Sequence, residues 1–165
     1  MNSDLFFEFL VNKKDNTIRM TRDFKGSLAL VWRAWTEAQL LDQWFGPEPY
    51  RVETKSMDFR EQGHWLFAMV GPEGSKAYNM CHYLKIAPLK SFLMQGGFAD
   101  ENGVLNHDYP QNKWENTFIA QEGSTRVEVL LSYDSLSDLE KEIEMGFKEG
   151  MIKDFEQLDA LLRKI

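Results

Sequence analysis

A chain of 165 residues fits one domain with one core, here residues 1–165 throughout. It carries 26 acidic and 19 basic residues, a formal charge of −7, and no lysine–arginine cluster on one face, so nucleic acid is not an expected partner. Its one cysteine, Cys81, excludes an internal disulfide and fits a reducing compartment, and no run approaches the ~20 apolar residues of a membrane span.

The N-terminus, MNSDLFFEFLVNKKD, sets acid before a short apolar stretch and does not read as a secretory leader. The expected location is the cytoplasm, with no membrane partner. Leu5, Phe7, Phe9 and Val11 alternate as in a strand with one buried face. A turn at residues 13–16 leads to a second strand carrying Ile18, Met20 and Phe24. Gly26 ends it, and Ser27 can cap a short helix with Leu28, Val31, Trp32 and Trp35 on one side. Thr36-Glu37-Ala38-Gln39 reads as a capping box for a second short helix. Its buried stripe is Leu40, Leu41, Trp44 and Phe45, and Gly46-Pro47 stops it. Trp32, Trp35 and Trp44 are expected to plug one end of the fold.

From Tyr50 to Asp134 the period falls to two. Strands are expected at residues 51–60, 63–70, 77–86, 91–98, 113–120 and 125–133, with a tight turn at residues 71–74. Short connections imply an antiparallel meander. The longer loop, residues 99–111, is a candidate lid beside an entrance, with Tyr109 and Pro110 near it. Ser137-Asp138-Leu139-Glu140 reads as a capping box that opens a helix running almost to Ile165. About 25 helical residues span roughly 37 Å, and a sheet of six or seven strands is about 30 Å wide. One helix could therefore cross a whole concave sheet face. The fold class is α+β.

Three runs resemble a known family: FKGSLALVWRAWTEAQLLDQWFGP from Phe24, MDFREQGHWLFAMVGPEG from Met57, and EMGFKEGMIKDFEQLDALL from Glu144. They are similar to the heat-shock-protein-90 ATPase activator-homologue group of the START-like (SRPBCC) superfamily. The resemblance implies a helix-grip fold, in which a curved antiparallel sheet and two small helices are gripped by a long C-terminal helix. It also implies an apolar ligand, since superfamily members bind lipids, sterols or polyketides and a few are cyclases or hydrolases. The alternative reading is a protein-interaction module, including co-chaperone-like stimulation of an ATPase, with a chaperone or a second copy of the chain as partner. The family often has a tryptophan where this chain has Met151.

The composition suits either a large core or an aromatic cavity with adaptable lining, for it includes 12 Phe, 5 Trp and 8 Met. Trp65, Phe67 and Met69 share one strand face, Asn79, Cys81 and Tyr83 another, and Trp114 and Asn116 a third. Asn79, Tyr83 and Asn116 are the polar candidates for orienting a ligand. On the terminal helix, Phe147, Met151 and Asp154 fall on the apolar stripe with Gly146 and Gly150. The two glycines fit either close packing against Trp65 or Phe67, or room for a ligand. Asp154 needs a partner or a proton there. As a polar anchor of the cavity, its change to Asn would alter ligand affinity more than stability. The candidate ligand-binding set is these residues and Trp44, without Gly146. An enzymatic alternative would use Asp154, His82 and Tyr83 as acids and bases. His64, His82 and His107 lack metal-site spacing, there is no G-x-S-x-G and no phosphate loop, and Cys81 has no motif around it. No metal and no cofactor is expected.

Overall fold

The computed structural model describes residues 5–165, and what the N-terminal reading says of residues 1–4 lies outside them. The chain forms β1 (Phe7–Asn12), β2 (Thr17–Phe24), α1 (Leu28–Thr36), α2 (Ala38–Trp44), β3 (Arg51–Asp58) and β4 (His64–Val70). It continues through β5 (Lys76–Ala87), β6 (Ser91–Ala99), β7 (Gln111–Gln121), β8 (Ser124–Tyr133), α3 (Leu136–Glu144) and α4 (Phe147–Leu162). One antiparallel sheet of eight strands results, in the order β1-β2-β8-β7-β6-β5-β4-β3. Consecutive strands from β3 to β8 are neighbours, as short connections demand. The N-terminal hairpin closes the β8 side.

Strand alternation decides which side chains face the helices. Ile18, Met20 and Phe24 of β2 are buried, as are Val127, Val129, Leu131 and Tyr133 of β8 and Trp114, Asn116 and Phe118 of β7. Bulges at Thr54/Ser56 and Tyr83/Lys85 shift the register of β3 and β5. Beyond the second bulge, Ile86 rather than Lys85 continues the inward row.

The helix starts partly differ from the sequence reading. Ser27 caps α1 as expected, its hydroxyl accepting from the Leu30 N–H at 3.2 Å. The Thr36 capping box does not form. Thr36 Oγ1 instead donates back to the Trp32 carbonyl at 2.9 Å, and Glu37 takes the cap position of α2 while its carboxylate pairs with Arg33. Likewise Ser135, not Ser137, caps α3 by accepting from the Asp138 N–H at 3.1 Å.

The single long helix is two helices. Gly146 has φ +86°, a left-handed conformation that ends α3 and opens α4. Its N–H donates to the Ile143 carbonyl and that of Met145 to the Lys141 carbonyl, so α3 ends on its own orphan acceptors. Gly146 is therefore the joint, not a mid-helix gap. Gly150 lies within α4, and a side chain there would meet Pro47 at 3.7 Å, not Trp65 or Phe67.

α4 grips the sheet firmly. Met151, Phe155, Leu158, Leu161 and Leu162 are buried. Phe155 meets Phe24 at 5.5 Å, Phe7 at 6.1 Å and Trp35 at 6.3 Å between ring centroids. Asp159 accepts both guanidinium nitrogens of Arg22, an inward-facing residue of β2, in a buried bidentate pair. Gln157 accepts from the Glu48 N–H and donates to the Trp44 and Gly46 carbonyls, each at 2.9 Å, tying α4 to the chain that follows α2.

Candidate functional site

A cavity of about 310 Å³ lies under the joint between α3 and α4. Strand register explains it. Trp65 of β4 pairs with Cys81 of β5, Cys81 with Gly96 of β6, and Gly96 with Asn112 of β7. The row is bulky at one end and small in the middle. The next inward row, Phe67, Asn79 and Phe98, forms one wall; beyond it Met69 pairs with the small Ala77, and Gly97 follows Gly96 along β6. Where the floor has no side chain to rise from it, the space above stays open. A Cβ on Gly96 would run into the Met80 carbonyl, so this strand crossing admits only glycine.

Aromatic rings form the walls. Trp65 and Phe67 stack at 4.0 Å, Phe45 stands 5.6 Å from Trp65 and 6.3 Å from Trp114, and Phe147 lies 6.0 Å from Trp114. The Trp65 indole is held from outside. Its N–H donates to Thr54 Oγ1 at 3.0 Å, and that hydroxyl donates to Asp42 Oδ1 at 2.6 Å. Met69, Met94 and Met145 fill between the rings, and Met145, 48% exposed, stands at the mouth.

One polar cluster breaks the apolar lining. Trp114 Nε1 donates to Asn112 Oδ1 at 3.0 Å, and Asn112 Nδ2 donates to Glu142 Oε1 at 3.0 Å. Tyr133 Oη donates to the same oxygen at 3.2 Å. Burial raises the pKa of Glu142, opposed by the hydrogen bonds from Tyr133 and Asn112. Burial also pushes the Cys81 thiol up to about 12 and raises the Tyr83 phenol.

The cavity brings together Trp65, Phe67, Met69, Asn79, Cys81, Trp114 and Phe147 from the candidate set. The others lie elsewhere. Trp44 is buried with its indole N–H on the Ala34 carbonyl at 2.9 Å. Tyr83 sits among Phe59 and Phe92, beyond the cavity floor. Asn116 is fully buried, its amide spent on the Phe92 and Trp114 carbonyls at 3.4 and 3.3 Å and its Oδ1 without a partner among the described residues. Gly150 abuts Pro47, and Met151 is core. Asp154 Oδ1 accepts the Gly46 N–H at 3.1 Å and is not among the residues that line the cavity. Burial holds its pKa up at about 8 against that hydrogen bond. It pins the chain after α2, so Asp154→Asn is expected to act on stability rather than on ligand affinity. The proposed acid–base trio does not converge, for Asp154 and Tyr83 are outside the cavity and His82 is exposed on the opposite strand face.

Several lining residues were not singled out from sequence: Phe45, Ala77, Met94, Gly96, Gly97 and Phe98, then Asn112, Glu142 and Met145. Gly96-Gly97 inside a strand was the available signal, since adjacent glycines there mark open space or close backbone approach. The long loop splits its work. Asp100 accepts the Asn102 and Val104 N–H groups in a turn, and Gly103 approaches Met80 and Leu66 on the convex face. Only its end reaches the cavity, where Pro110 is buried in the wall and Tyr109 packs on Phe98 at 5.2 Å.

Residues 25–163 match the family described as "Activator of Hsp90 ATPase homolog 1-like protein". The chain belongs to that family. Its fold is the helix grip of the START-like superfamily. The chain is similar to a crystal structure of a protein from Mycobacterium smegmatis, at 26% identity over 96% of each chain with a TM-score of 0.87. A solution structure of an Arthrobacter aurescens protein is 25% identical over 96% of this chain and 92% of that one, with a TM-score of 0.89. One from Staphylococcus epidermidis is 26% identical over 93% of each, with a TM-score of 0.82. A search of curated proteins finds no match. Among the described residues, no helix is long and apolar enough to cross a membrane, and no three His, Cys, Asp or Glu residues cluster as a metal site.

Proposed function

We propose that this family member is a receptor for an apolar small molecule held under the α3–α4 joint. The observation that carries it is the cavity itself, about 310 Å³ walled by Trp65, Phe67, Trp114 and Phe147, with few polar groups. That is the composition of a small-molecule site, in which rings supply burial and a few polar atoms fix orientation. The fold supports the reading, because two helices meeting over a hollow sheet give a mouth that can open without unfolding the core. Met145 and Phe147 flank the joint and form its rim.

The test is to denature the purified protein and identify released small molecules by mass spectrometry, beside a Cys81→Phe variant whose new ring fills the floor. The wild type should release an apolar compound that the variant lacks. Equal release from both proteins would remove the reading.

A further inference from the structure

The charge of the cavity narrows its ligand further, and this step rests on the receptor reading. Among the described residues, Glu142 is the only charged side chain that lines the space. Both of its hydrogen bonds fall on Oε1, and Oε2 carries none among the described residues. The nearest basic residues along the chain are engaged outside. Lys141 donates to the Asp108 carbonyl at 3.3 Å over the Tyr109 ring, and the Lys148 ammonium lies over the Phe9 ring at 5.3 Å. The walls add aromatic rings, and a ring face attracts a cation and repels an anion. Helix dipoles do not reverse this, because the negative end of α3 and the positive end of α4 meet at the same joint and offset each other.

We propose that the cavity selects a molecule with a compact apolar or aromatic body and a positively charged nitrogen, the nitrogen at Glu142 Oε2 and the body against Trp65, Phe67 and Trp114. A protonated amine and a quaternary ammonium share this chemistry. An apolar carboxylate is the wrong charge, since it would set a second anion beside Glu142.

Three probes of similar size separate the outcomes by tryptophan fluorescence titration of the full chain. They are benzyltrimethylammonium, its neutral isostere neopentylbenzene, and 3-phenylpropionate. The cation should bind about tenfold or more tighter than the isostere, and the anion weakest of the three. In Glu142→Gln the cation should lose most of its advantage over the isostere, whose own affinity stays put. Equal binding of cation and isostere in the wild type overturns the charge selection and leaves the receptor reading standing. So does cation binding unchanged by Glu142→Gln. Binding by none of the three overturns both. The comparison in the wild type needs no variant, so a poorly folded Glu142→Gln leaves the proposal testable.

Discussion

The concave face of the sheet holds two interiors of opposite kind. Beneath α1 and α4, the row Met20, Val129, Asn116 and Phe92 carries a substantial side chain at every position, and Trp32, Trp35 and Phe155 close over that side. Beneath the α3–α4 joint, the row Trp65, Cys81, Gly96 and Asn112 is nearly bare in its middle. The rings are as plentiful in both. What differs is where the small residues fall. Space in this fold comes from the sheet floor and from a bend in the covering helix, not from glycines on the helix face.

The comparison breaks most sharply at Phe155, 2% exposed at the centre of the filled side. Phe155→Ala should cost about 3–5 kcal/mol by urea denaturation. Phe147→Ala, on the rim of the cavity, should cost clearly less and weaken ligand uptake instead. Equal losses at the two positions would mean that both sides are core.

Asp154 tests the filled side by pH. Its ordinary pKa of 3.8 is raised to about 8 by burial, so the folded chain holds a proton that the unfolded chain gives up. The stability this contributes is complete below about pH 3.8 and is lost as pH rises through about 8. Asp154→Asn keeps an oxygen for the Gly46 N–H and has no charge to desolvate. It should match the wild type near pH 4 and exceed it at pH 9, by on the order of a few kcal/mol at most. Thermal melts across that range measure it. A wild-type advantage at pH 9 would show that the ionised carboxylate is stabilising where it lies.

Enlarging residues gives the next effect. Val129→Phe, in the filled row, should cost about 1–3 kcal/mol through overpacking. Cys81→Phe places the same ring in open space and should stay within about 1 kcal/mol of the wild type. A Cys81→Phe protein as unstable as Val129→Phe would mean that the hollow is closed in solution.

The fold was largely legible because alternation and capping residues are local. Trp65, Phe67 and Met69 could be placed on one face without knowing their neighbours. The cavity was legible only in part, because a floor is a property of register. Cys81 lies between Trp65 and Gly96 only as the bulge at Tyr83/Lys85 and the strand offsets allow, and no local pattern fixes those. The same limit hid Glu142, which faces the cavity once α3 ends at Gly146 rather than running on. Asp154 could be read as buried, but its partner is a backbone N–H brought from Gly46, which carries no sequence signature.

The smallest expected effect distinguishes the two helix glycines, which look alike in sequence. Gly150 has ordinary helical backbone and only Pro47 nearby at 3.7 Å, an ordinary contact distance. Gly150→Ala should therefore raise stability by about 0.5–1 kcal/mol through helix propensity, with ligand affinity unchanged. Gly146 has φ +86° and open space around it, so its alanine variant meets no clash. It should still cost about 1–2 kcal/mol, because the left-handed backbone itself resists a Cβ. That strain is relieved if α3 and α4 straighten toward one helix, which would carry Glu142 and Met145 off the cavity. Gly146→Ala should then lose affinity as well as stability, measured by the probe titration and by urea. Loss of binding in Gly150→Ala with none in Gly146→Ala would return the source of the space to the helix face.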